Sequence, residues 1–174
     1  MASFEFLAII LTGLGLTASI IYYASILRNA NKTQQLAIET RQAQLFMNLY
    51  DTYRSAEFRK QWDDVVFRME WKDWDDFNSR YNAEASFEER NSWFSVATYF
   101  EGLGVLVKRN LIDMAMVYDL LAYSIKMAWE RMGPIETETR IRFNMPHLFD
   151  DFEYLYNELL RHEKEASKKE MASI

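Results

Sequence analysis

The chain has 174 residues, of which 49% are hydrophobic, 16% aromatic and 26% charged, a balance that excludes a disordered polymer and suits one folded core. The net charge of −6 gives no general attraction for nucleic acid, so a nucleic-acid partner is not expected. Cysteine is absent, which excludes disulfides, thiolate catalysis and zinc-thiolate sites; with only two histidines, no metal and no cofactor are expected.

From Phe6 to Leu27 the chain reads FLAIILTGLGLTASIIYYASIL, with no charge between Glu5 and Arg28. As a helix this run reaches about 33 Å, enough to cross a hydrocarbon core of roughly 30 Å. A cleaved signal peptide fits less well, because MASFEF is not basic and the apolar run is too long. The reading is a transmembrane anchor over residues 1–27. Arg28, Lys32 and Arg41 follow the span and no Lys or Arg precedes it, which predicts an N-terminus outside and a cytoplasmic C-terminal domain at the plasma (inner) membrane, single-pass. Ala8, Thr12, Gly15 and Ser19 recur at i+4 and i+3 on one side, a small-residue face that predicts a helix–helix interface in lipid.

No Gly or Pro interrupts residues 28–54, so the anchor is expected to continue as a stalk helix, with Ile38, Leu45, Leu49 and Tyr53 prolonging the seam. Ser55 caps a second helix to about Trp71, with Phe58, Trp62, Val65, Val66 and Met69 on one face. The mixed stretch WKDWDDFNSRYNAEA reads as a loop or broken helix. Ser86 and Glu89 form a capping box for a helix whose stripe is Trp93, Val96, Ala97, Phe100, Leu103 and Val107. Asp113 caps the next, with Val117, Leu120, Leu121, Ile125 and Ala128 facing a core and Gly133-Pro134 as its stop. A short helix to Phe143 and a last one after Pro146, carrying Phe149, Phe152, Tyr156, Leu159 and Leu160, complete the chain. The fold class is therefore all-α: a transmembrane helix, a stalk, a cytoplasmic antiparallel helical bundle over 55–165, and a charged flexible tail over 166–174.

The segment YFEGLGVLVKRNLID at Tyr99–Asp113, with the Trp62 region, the Trp129-Glu130 pair and DDFEYL at Asp150–Leu155, resembles a domain-of-unknown-function family of prokaryotic membrane-anchored helical proteins. The resemblance covers most of the chain in order. It implies an anchored all-helical domain and carries over no activity and no catalytic residue.

Glu101 stands close to the apolar stripe of its helix, beside Gly102 and Gly104, which would let another helix approach. It is expected to be a buried structural carboxylate, ion-paired with an arginine such as Arg140 or Arg142; the alternative is a proton-binding or ligand-binding group. Asp73, Asp75, Asp76 and Asn78, with Glu84, faintly follow a calcium loop but lack its turn glycine, and read as an acidic surface loop. His147, Asp150, Asp151 and Glu153 read as acids at a helix start rather than metal ligands. Glu158 and His162, four apart, read as a surface contact. Trp62, Trp71 and Trp74 are interleaved with aspartates, so packing is the better reading than a nucleic-acid platform. No nucleophile elbow, Walker loop or dinucleotide fingerprint is present.

Two functions of different class follow. The first is a non-enzymatic assembly or scaffold protein that self-associates through its transmembrane and stalk helix, a homo-oligomer in contact with membrane lipid. The second is an accessory or pore-forming subunit of a larger membrane complex; a pore needs a polar face on the span, and only Thr12, Thr17 and Ser19 qualify.

Overall fold

A computed structural model describes the backbone of residues 2–82 and 86–172, and the side chains of these except 2, 3, 6–8, 169, 170 and 172. Glu84 and the side chain of Ala8 lie outside the described residues. Six α-helices and one π-helical turn follow in order: α1 Ala2–Tyr53, α2 Ala56–Asp63, the π turn Asp64–Arg68, α3 Trp74–Tyr81, α4 Phe87–Lys108, α5 Met114–Phe143 and α6 Asp150–Ala172. No strand occurs among the described residues, and the chain is all-α. It divides into two compact units, Met1–Ala43 and Gln44–Ile174, so the division falls inside α1 and not at its end.

In the first unit every residue from Ile9 to Arg41 is exposed. This is the one helix, among the described residues, long and apolar enough to cross a membrane. Three of its hydroxyls bond back to their own helix: Thr17 donates to the Gly13 carbonyl (2.9 Å), Ser19 to Gly15 (2.8 Å) and Ser25 to Ile21 (2.9 Å).

The second unit is built around α4, against which α2, the π turn, α3, α5 and α6 all pack. Phe58, Trp62, Val65, Val66 and Met69 are all buried, as are Trp93, Val96, Ala97, Phe100, Leu103 and Val107, so both periodic stripes face this core. Ser55 accepts the Phe58 N–H and Asp113 the Ala115 N–H, each taking up a donor that a helix start leaves unpaired. The last turns of α1 also belong here: Phe46 is buried, Leu45, Leu49 and Tyr53 pack against the core, and the Tyr99 hydroxyl donates to the Leu49 carbonyl at 3.0 Å. Leu45, Leu49 and Tyr53 therefore pack against the bundle of their own chain, while Ile38, the first residue of that stripe, is exposed. Helix α5 runs antiparallel to α6, with Trp129 against Tyr156 and Lys126 against Glu163. Helices α4 and α6 run in the same sense, since Phe94 meets Phe149 and Phe100 meets Phe152.

Several local expectations are corrected. Helix α2 gives way to a π turn in which Met69 N–H donates to the Asp64 carbonyl five residues back (2.8 Å), and the chain then leaves in extended form. Residues 74–81 are a helix capped by Asp73, which accepts from Asp76 N–H at 2.9 Å. Ser86 begins α4, yet its hydroxyl bonds the Glu89 carboxylate and no backbone N–H, so the capping box is not closed. Leu120 is exposed, one residue off the seam through Val117, Leu121 and Ser124. Helix α6 continues to Ala172, over the stretch read as a tail.

The largest correction is at Gly133-Pro134, where α5 continues to Phe143. A proline inside a helix costs about 3 kcal/mol. Against this, Trp129, Met132 and Ile135 are buried around it, each worth roughly 1.5–3 kcal/mol, and their burial outweighs the missing N–H. Gly133 is no cap; a Cβ there would meet the Trp129 ring at 3.0 Å, so the glycine makes room for the indole. The helix ends at Asn144, which takes the left-handed conformation (φ 52, ψ 46) that suits asparagine at a helix C-terminus.

Candidate functional site

Glu101 lies where α4 receives the start of α6. Phe149, just before α6, has φ 52 and a side chain that cannot cap, so the first turn of α6 lacks a local acceptor. Glu101 supplies one from another helix, its Oε2 accepting the Phe152 N–H at 2.7 Å. Three residues on, Gly104 admits the α6 backbone; seven on, Lys108 pairs with Asp151 at 2.5 Å. One face of α4 thus holds the α6 start through a carboxylate, a gap and an ammonium. The arginines expected to pair with Glu101 are engaged elsewhere: Arg140 with Glu153 and the Leu148 and Phe149 carbonyls, Arg142 with Asp75 and Glu138. Glu101 is half-buried, and burial, with the nearby charges of Asp151 and Asp150, raises its pKa, while the Phe152 N–H opposes the rise. Replacing Glu101 with alanine should cost about 1–2 kcal/mol of stability in a denaturant melt, as for loss of a cap, whereas glutamine, which keeps an acceptor, should cost much less. Equal losses for the two variants would count against the capping role.

Oxygens of Glu101, Asp150 and Asp151 lie within 4.8 Å of one another, the spacing of a possible cation site. Their charge is met from the protein itself, by the Phe152 N–H, by Lys108, and by the positive end of α6. His147 bonds Asp150 (3.1 Å) and Glu153 pairs with Arg140, so His147 and Glu153 do not join this group. The acids of the Asp73 region are divided among capping and pairing: Asp73 caps α3, Asp75 holds Arg142 and Asp76 holds Arg80. Glu158 pairs with Arg161, and His162 packs on the Tyr118 ring. Thr12, Gly15 and Ser19 are exposed on α1, and a Cβ on Gly15 would meet nothing within 4 Å.

Among the described residues, the carboxylate buried most deeply was not singled out by the sequence. Glu136 is 3% exposed, and its Oε1 accepts the Trp93 indole N–H at 2.6 Å. Burial pushes its pKa up to about 7; the Trp93 N–H and Arg140 oppose this, and Glu101 adds to it. A signal existed. Ile125, Trp129, Met132 and Glu136 continue one seam at i+4, i+3, i+4, but ending the helix at Gly133-Pro134 cuts the seam before its last member. Glu136 forms part of the wall of a pocket of about 230 Å³, together with the rings of Trp74, Phe77, Trp93, Phe94 and Phe143.

Two of the segments that carry the family resemblance, Tyr99–Asp113 and Asp150–Leu155, meet at Glu101, Gly104 and Lys108, and Trp129, from a third, packs on Phe152 (4.9 Å between ring centroids). No curated protein and no solved structure matches the chain. A family model described as a domain of unknown function, DUF4760, matches residues 4–159, and takes in the apolar helix, the α4–α6 junction and the Glu136 pocket. The chain belongs to the DUF4760 family.

Proposed function

We propose that this protein is a membrane-anchored, non-enzymatic assembly or scaffold protein, which self-associates through its apolar helix and carries its helical domain on the cytoplasmic side. The observation that supports this most is the exposure of the whole stretch Ile9–Arg41, which includes Ile9, Leu11, Leu14, Leu16, Ile20 and Ile21, each more than 60% exposed. Apolar surface of that extent is stable only against lipid or another chain. The hydroxyls bonded back to their own helix favour lipid and close helix packing over a pore, which needs them turned to water. Leu45, Leu49 and Tyr53 pack against the bundle of their own chain, and the interface we propose is the Ala8, Thr12, Gly15 and Ser19 face. Arg28, Lys32 and Arg41 orient the helix with its C-terminal side in the cytoplasm.

Substituting Gly15 and Ser19 with leucine is expected to reduce the mass of the particle in mild detergent from oligomer to monomer. An unchanged oligomer would move the interface to the bundle, and a monomeric native protein would end the reading. Orientation is tested separately. The chain has no cysteine, so a single cysteine introduced at Ser167 should resist a membrane-impermeant thiol reagent in intact cells and react after lysis; labelling in intact cells would reverse the topology.

A further inference from the structure

The ring-lined pocket between α3, α4 and α5 has a chemistry of its own. Both of its indole N–H groups are already committed, Trp74 to the Thr139 hydroxyl at 2.8 Å and Trp93 to Glu136 at 2.6 Å. Trp74 and Trp93 therefore offer an occupant π faces and C–H edges, and no donors. Two of the rings already hold cations: the Arg142 guanidinium lies 4.2 Å from the Trp74 ring centroid and that of Arg90 5.4 Å from Phe94. The wall is thus made of aromatic faces of the kind that attract positive charge.

Glu136 adds a carboxylate to this aromatic wall. It is buried, and among the described residues it has no ion-pair partner. Arg140, the cation whose field reaches it, is committed to Glu153 and to two backbone carbonyls. A buried carboxylate without a countercharge is costly, and an occupant bearing a positive N–H group would remove that cost. A dry cavity of about 150 Å³ accepts benzene, so about 230 Å³ has room for a ring and a short amine chain.

We propose that this pocket binds a small organic ammonium ion, an aromatic or alicyclic amine whose N–H groups meet the Glu136 carboxylate and whose apolar body lies among Trp74, Phe77, Trp93, Phe94 and Phe143. The site gives the bundle a small-molecule ligand, independently of how the apolar helix assembles. Arg90, the one cation among the described residues of the lining, is the feature that would instead select an anion, and the test separates the two.

Three probes of like shape and different charge decide: phenethylammonium, neutral 2-phenylethanol and anionic 3-phenylpropionate, titrated calorimetrically into the detergent-solubilised full chain. The ammonium should bind at least tenfold tighter than either of the others. Glu136→Gln, which still accepts the Trp93 N–H, should bring that preference below threefold. Phe94→Leu changes a residue that is 44% exposed and so leaves the core intact; it should weaken all the probes by a similar factor. Binding of the three probes without distinction, tighter binding of the anion, no binding of any, or a preference that survives Glu136→Gln would each overturn the proposal, and the native protein alone decides the first three.

Discussion

Gly104→Ala should destabilise the bundle by about 3 kcal/mol or more, while Gly102→Ala, two residues away on the same helix, should be neutral or stabilising by roughly 0.5–1 kcal/mol. A Cβ on Gly104 would stand 2.0 Å from the Asp151 carbonyl oxygen and 2.6 Å from its carbon, both backbone atoms of α6. No rotamer change relieves such a contact; α6 has to move as a body. Its movement would draw the Phe152 N–H from Glu101, part Asp151 from Lys108 and open the Phe100–Phe152 stack, whose centroids are 5.0 Å apart. At Gly102 a Cβ meets nothing within 4 Å, so only alanine's better helix propensity is felt. Thermal melts of the detergent-solubilised chain, followed by near-ultraviolet circular dichroism, measure both. A Gly104→Ala protein that melts with the native one would show that α6 is held less closely than the geometry requires.

Glu136→Gln should raise stability at pH 8 by about 3 kcal/mol and flatten the dependence on pH between about 4.5 and 7. The sign follows from which state holds the proton. Unfolded, the carboxyl releases its proton near 4.5; folded, burial keeps it until about 7. Between these values the folded protein binds more protons, so its stability is fully present below the unfolded value and is lost as pH rises through the folded one. Arg140 favours the ionised form and Glu101 disfavours it, and Glu101, itself held above its ordinary value, adds slope in the same direction; glutamine at 136 therefore leaves a shallower slope, not a flat one. Urea unfolding at pH 5, 6, 7 and 8 for both proteins gives the difference directly. Parallel curves would mean that Glu136 finds a countercharge after all.

Gly104 and Glu101, which together meet the start of α6, were legible in the sequence to different degrees. Gly104 was legible as a place of close approach because a glycine inside an otherwise strong helical stripe costs stability unless something comes near, although nothing in the chain distinguished it from Gly102 or named α6 as the neighbour. Glu101 was legible as a carboxylate near a seam, and its partner was not: the natural inference is an arginine, whereas the structure supplies the backbone N–H of a helix whose own cap position is filled by Phe149. Only with both helices placed does a missing local cap become visible. Arg140, expected at Glu101, is drawn to the turn between α5 and α6, where it can bond two carbonyls and Glu153 together.

What the sequence determined by itself is what nearest neighbours along the chain decide. The uncharged run from Phe6 to Leu27, the helix starts at Ser55 and Asp113, and the buried stripes from Phe58 to Met69 and from Trp93 to Val107 rest on spacing within a few turns, and helical geometry turns spacing into a face without help from distant residues. Tertiary structure decided the rest. It carried α5 through Pro134, because burial on either side of the proline exceeds the local penalty. It took Leu45, Leu49 and Tyr53 into the bundle, since an apolar stripe does not say which surface will cover it. It buried Glu136, whose fate depends on Trp93, forty-three residues earlier, offering its N–H across the gap between two helices. Local propensities are fractions of a kcal/mol for most residues and about 3 kcal/mol for proline, whereas several side chains buried around one position contribute about 1.5–3 kcal/mol each, so where the two disagree the long-range term sets the structure.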